Sequence, residues 1–279
     1  MHDAANDRNA AIETTRPRWI ERRFDRSKVP EIGLAFWAVK ILSTTVGETG
    51  ADYLAVHAGL GTLLTGAITA ALLLCALLMQ LNRDRYVPAI YWLTVVLLSV
   101  VGTQVTDALT DGLEVSLYLS TGVFALALGL VFAAWYRSEG TLSIHSITTR
   151  RRELFYWAAI LLTFALGTAA GDLATEALGM GFTLGVGLCA ALIAASALAW
   201  RIGAPPVPMF WIAYVLTRPL GASLGDLLSQ SPSYGGLGWG TVPTSIVFLF
   251  AIVGLVGWMT GRPARIERRI QAMRQTRLK

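Results

Sequence analysis

Four aspartates, Asp52, Asp107, Asp172 and Asp226, each stand five residues after a glycine: Gly47, Gly102, Gly167 and Gly221. Each glycine stands ten residues after a tryptophan: Trp37, Trp92, Trp157 and Trp211. Carboxylates repeated at one spacing within apolar sequence suit protons or hard cations, which prefer oxygen ligands. Inside a membrane span such groups cost about 2.5–3.5 kcal/mol at the centre, and they usually line an interior or a water-filled cavity. The plainer alternative places the four acids at solvated helix ends. A carboxylate is unfavourable near a helix C-terminus, however, by about 0.3–1 kcal/mol.

The copies differ next to the glycine, where Glu48, Thr103, Thr168 and Ala222 stand. Two cations interrupt the apolar stretches, Lys40 in the first copy and Arg218 in the last. At 3.6 residues per turn, Trp37, Lys40, Thr44, Glu48 and Asp52 share one helical stripe. From Trp to Asp that stripe rises about 22 Å. Lys40 lies two turns before Glu48 and Arg218 two turns before Asp226, too far for a bridge within one helix. Pairing therefore has to cross between helices, as Lys40–Asp226 or Arg218–Glu48, if the first and last copies close a ring. Structural ion pairing, counter-charges for a transported ion and recognition of a small anionic solute are the available readings of the two cations. Pro219 removes a helical hydrogen bond beside Arg218 and predicts a kink there.

Other chemistry is poorly represented. There is no His-x-x-x-His pair, phosphate-cradling glycine loop, nucleophile elbow or redox cysteine pair, so the sequence predicts no enzyme and no cofactor. Cys75 and Cys189 sit in apolar segments without a nearby partner and are expected to be buried thiols. The identity of any metal ion is open.

The elements that must position these residues are membrane helices. Of 279 residues 54% are hydrophobic and only 15% charged, against about 25% charged in soluble domains. A spanning helix needs about 20 apolar residues. Eight segments qualify, at roughly 34–55, 61–81, 89–109, 115–136, 155–175, 180–200, 208–228 and 241–260. They leave no room for a separate soluble domain. Of the 23 Lys and Arg residues, all but Lys40 and Arg218 fall before the first segment, after the last, or in alternate connections. That bias places both termini in the cytoplasm. The net charge of +5 thus reflects orientation in a membrane and does not point to nucleic acid.

The fold predicted is an all-α polytopic membrane protein, with eight transmembrane helices arranged as four parallel helical-hairpin repeats. Its organisation is a basic tail over 1–30, repeats at about 31–84, 85–140, 150–202 and 204–262, and a second basic tail over 263–279. Units of two spans all enter the membrane in the same direction and are related by rotation about the membrane normal. The motif-bearing helices are expected to face one another and the second helices to face lipid. Gly47, Gly102, Gly167 and Gly221, each with a small residue four positions on, suit close helix packing. The tryptophans read as interface anchors.

The aromatic-Trp starts (Phe36-Trp37, Tyr91-Trp92, Tyr156-Trp157, Phe210-Trp211) and the Gly-x-x-x-x-Asp endings resemble a family of bacterial membrane proteins. Its members are built of four tandem repeats, each with two transmembrane regions and a characteristic tryptophan. The resemblance covers residues 31 to about 262 and implies architecture and a bacterial inner membrane, but no chemistry, because the repeat has no assigned function. From the residues, the expectation is a transporter or channel for a cation, a proton or hard metal ion, passing Glu48, Asp52, Asp107, Asp172 and Asp226 with Lys40 and Arg218 setting the charge. The alternatives are a non-transporting scaffold or sensor, binding anionic lipid or a partner through its basic segments, and a carrier of a small anionic solute.

Overall fold

A computed structural model describes residues 27–54 and 61–277, with the side chains of 52, 62, 63 and 262–277 outside that description. The predicted N-terminal tail therefore lies almost wholly outside the described residues, as does the side chain of Asp52. Among the described residues the secondary structure is helical throughout, in eight α-helices with short π and 3-10 turns. The helices are α1 (Leu34–Asp52), α2 (Gly61–Leu81), α3 (Pro88–Asp107), α4 (Leu117–Glu139), α5 (Arg150–Asp172), α6 (Gly181–Arg201), α7 (Pro206–Ser229) and α8 (Thr241–Arg277).

Local chemistry sets many of their ends. Prolines open α3 and α7, where a missing N–H costs nothing. The hydroxyls of Ser116 and Thr149 cap α4 and α5 by accepting from the amides of Leu119 and Arg152. Gly140 stops α4 in a left-handed conformation, φ 69°. The last helix, α8, continues through the basic residues after the apolar span to Arg277.

The first helix of each repeat joins an inner ring. In it α1 packs on α3, α3 on α5, α5 on α7, and α7 back on α1. The second helices form an outer layer in which each leans chiefly on the first helix of the following repeat: α2 on α3, α4 on α5, α6 on α7 and α8 on α1. The repeat is thus a staggered pair and not a self-contained hairpin. Most residues of α2, α4, α6 and the apolar part of α8 remain exposed. Leu64, Leu126, Leu184 and Phe250 project outward from this layer, at 51% to 74% exposure.

Among the described residues six helices are long and apolar enough to cross a membrane: the four outer helices together with α3 and α5. The exceptions among the eight are α1 and α7, which carry Lys40 and Glu48, or Arg218, Pro219 and Asp226, within their length. The polar side chains that weaken them as isolated spans are buried in the ring, where Lys40 is 1% and Arg218 0% exposed. Of the two cysteines, Cys189 is buried, whereas Cys75 lies on the outward face of α2, contrary to expectation.

Candidate functional site

Each repeat glycine meets the residue three positions before the glycine of the next repeat. A methyl group on Gly47 would overlap Ser99, one on Gly102 would overlap Phe164, one on Gly167 Arg218, and one on Gly221 Thr44. The cycle closes from the last repeat onto the first. Helix backbones this close exchange hydroxyl bonds directly. Thr44 and Thr45 of α1 donate to the carbonyls of Thr217 and Gly221 at 3.2 and 3.1 Å, and Thr106 of α3 donates to Ala165 at 3.1 Å. Small residues and hydroxyls are the usual fasteners between apolar helices.

One end of the ring is aromatic. Phe36 packs on Trp92, Tyr91 on Trp157, Tyr156 on Trp211 and Phe210 on Trp37, with centroids 5.4 to 6.3 Å apart. This is the same cyclic order as the glycines. Trp92, Trp157 and Trp211 are at most 4% exposed and Trp37 is half-buried. They fasten consecutive repeats, a contact that their reading as membrane-interface anchors did not include. A large ring gains more from burial against a neighbouring aromatic than from a place at the rim. The Tyr91 and Tyr156 hydroxyls bond to each other between α3 and α5.

The same end is sealed by chain from outside the repeats. The Lys28 ammonium meets the Glu153 carboxylate at 2.7 Å, with Glu153 fully buried. Gln80 and Trp157 donate to the other carboxylate oxygen at 3.1 and 3.5 Å. Ile144 and Ile147 of the connection after α4 are buried beneath. The Lys28 amide bonds the Ile147 carbonyl, and Trp211 donates to Leu142. Sequence reading missed the Lys28–Glu153 pair, since Glu153 follows three arginines and looks like part of a solvated charge run. Its position on the apolar stripe of α5, four residues before Trp157, was the available signal.

The middle of the ring is polar. Arg218 extends from α7 so that Nη2 donates to Glu48 Oε2 at 2.5 Å, to Thr168 Oγ1 at 2.7 Å, and to Thr103 Oγ1. Nη1 reaches the Thr44 carbonyl at 3.3 Å. Glu48, Thr103 and Thr168 are the residues one after the glycine in repeats one, two and three; repeat four has Ala222 there. One guanidinium therefore takes a partner from each of the other three repeats, at the position where the copies differ. Of the two ion pairs open to ring closure, Arg218–Glu48 is formed. Among the described residues Lys40 Nζ has no hydrogen-bond partner, so the Lys40–Asp226 pair is not formed. It lies 4.0 and 4.5 Å from the ring centroids of Phe164 and Tyr214.

Beyond Arg218 the acids approach one another. Asp172 lies within electrostatic range of Glu48, Asp107, Glu176 and Arg218, and Glu176 within range of Glu48 and Asp111. Asp107, Asp172 and Asp226 are half-buried and Glu48 is buried. Two of these aspartates are followed by a π-helical turn, Ala108–Gly112 after Asp107 and Leu173–Ala177 after Asp172. Such turns widen the helix and often mark functional positions. They also carry the helix past the aspartate, so the carboxylates sit a turn inside the end instead of on the last carbonyls. Among the described residues, no three His, Cys, Asp or Glu side chains gather closely enough to hold a metal ion.

A family model described as a repeat of unknown function (DUF347) matches four times, at residues 35–86, 90–141, 155–202 and 209–262. No curated protein and no solved structure matches the chain.

Proposed function

The chain belongs to the DUF347 repeat family, and from that premise we propose that it is a proton-linked membrane carrier. In this reading all eight helices cross the membrane, α1 and α7 held by their neighbours, with both termini on the cytoplasmic side of a bacterial inner membrane. The observation that carries it is the Arg218 guanidinium on the ring's centre line, bound to the single carboxylate Glu48 with Asp172 and Asp107 beyond. A buried pair that breaks on gaining one proton is a two-state element, and nearby carboxylates give the proton a route to it. The aromatic end is closed by buried side chains while the acidic end is half-buried, which supports entry from the aspartate side. The spread of the acids favours a proton over a metal ion stripped of its water.

In the carrier, a proton arriving through Asp107 or Asp172 neutralises Glu48. Arg218 then loses its counter-charge, keeps only neutral oxygen partners, and is free to move with α7. Pro219 leaves the Val215 carbonyl without its helical donor, which lowers the resistance of that turn to bending. A second reading, a non-transporting scaffold that holds anionic lipid or a partner on its basic surface, is favoured by the filled aromatic end.

Reconstitution separates the two. Liposomes containing the protein and a trapped pH indicator should take up protons under an imposed gradient. Asp107→Asn and Asp172→Asn should slow uptake without reducing insertion. Uptake equal to empty liposomes, or unchanged in Asp107→Asn, Asp172→Asn and Glu48→Gln alike, would leave the scaffold.

A further inference from the structure

The carrier account leaves two buried donors unused. Among the described residues Lys40 Nζ and Arg218 Nε both lack a hydrogen-bond partner, on side chains 1% and 0% exposed. A buried ammonium without an acceptor is costly, because its charge has lost water and gained only the faces of two rings. The same region holds a third donor without a partner, the Tyr214 hydroxyl, on the residue whose ring lies against Lys40. Lys40 stands seven residues before its glycine and Arg218 three before its own, so the two cations occupy adjacent levels of the ring. They are close enough for each to feel the other's charge.

Donors alone, two of them on basic side chains, call for a ligand that supplies acceptors and negative charge. Glu48 meets that need for Arg218 and reaches only the Nη2 side. We infer that Lys40 and Arg218 form an occluded site for a small anionic solute, a carboxylate or an inorganic oxyanion, filled when Glu48 releases the guanidinium. The walls of the site are Phe164 and Tyr214, which restrict it to compact anions. This inference rests on the carrier reading and deepens it: one proton on Glu48 and one monovalent anion between the cations enter together, so the buried charge is unchanged.

The groups that set the proton-sensitive step surround Glu48. Arg218 faces it from α7, which also carries Asp226; Asp172 of α5 and Glu176 of the turn after it lie within its electrostatic range, with Asp107 of α3 near Asp172; α8 from Thr241 to Gly261 contains no titratable residue.

The test is binding to the full-length protein purified in detergent, followed by isothermal titration and intrinsic tryptophan fluorescence. The probes are acetate, succinate, inorganic phosphate and sulfate, at acidic and at neutral pH. Saturable binding of at least one probe, tighter at acidic pH, is expected. Lys40→Met should weaken it on the order of 10- to 100-fold, the worth of one charge-assisted hydrogen bond, and Lys40→Arg should restore part of it. Glu48→Gln should bind at neutral pH as the wild type does at acidic pH, which keeps the test decisive should Lys40→Met fold poorly. No saturable binding by any probe, or binding indifferent to both Lys40→Met and Glu48→Gln, overturns the site. Proton uptake by liposomes distinguishes the failures: uptake without anion binding leaves the carrier and removes the anion, whereas loss of both removes the carrier.

Discussion

Glu48 and Arg218, 170 residues apart, meet at 2.5 Å where the first and last repeats close the ring. The pair has neutral oxygens from the other two repeats, Thr103 and Thr168, on the same guanidinium nitrogen. Four copies of one helix would give a symmetrical centre. A single Arg and a single Glu at different levels break that symmetry.

Removing one partner of this pair leaves the other charged and buried. Arg218→Gln should therefore destabilise the detergent-solubilised protein by about 3–5 kcal/mol. The double variant Glu48→Gln/Arg218→Gln should recover much of that loss, as read by the melting temperature. A double variant as unstable as Arg218→Gln alone would show that the guanidinium acts through packing.

The glycine cycle makes a selective prediction. Gly221→Ala and Gly47→Ala place a methyl on Thr44 and Ser99, and overpacking of this kind costs about 1–3 kcal/mol. Gly66→Ala and Gly129→Ala, which meet open space, should be neutral or gain up to about 1 kcal/mol from helix propensity. Thermal melting of the four variants in one detergent checks the contrast.

At the sealed end, Glu153→Ala strands the Lys28 ammonium and should cost about 3–5 kcal/mol. Replacing both, as Lys28→Met/Glu153→Leu, should be far milder, because the site is enclosed by Ile147, Trp157 and Gln80 and can accept an apolar pair. On the proposed carrier reading proton uptake enters at the opposite end, and it should survive in the double variant.

Tyr91→Phe and Tyr156→Phe each leave one hydroxyl without its mate. Either change should cost about 1 kcal/mol, and the double change no more than the worse single one. Additive losses would mean that the two hydroxyls do not depend on each other.

Much of this architecture was legible in the residues. The Trp, Gly and Asp offsets gave four copies and an inner set of motif helices, and the lone cations in copies one and four left Arg218–Glu48 as a pair open to a closed ring. The orientation of the tryptophans was not legible. An aromatic-Trp pair at a helix start fits a lipid rim as well as an inter-repeat contact, and only the cyclic geometry decides. The π-turns after Asp107 and Asp172 have no sequence signature, so the acids read as helix termini. Lys28–Glu153 was hidden by a separation of 125 residues and by flanking arginines. The polar content of α1 and α7, which keeps them below the hydropathy of the other six, follows from the ring: these two helices bring Lys40, Glu48 and Arg218 to its centre.

The most direct test of the central claim is proton uptake into liposomes containing the protein with Glu48 replaced. The account predicts that Glu48→Gln abolishes uptake while the protein inserts and melts as a folded bundle, and that Glu48→Asp retains part of it. Wild-type rates in Glu48→Gln would show that the carboxylate facing Arg218 carries no proton, and would contradict the account.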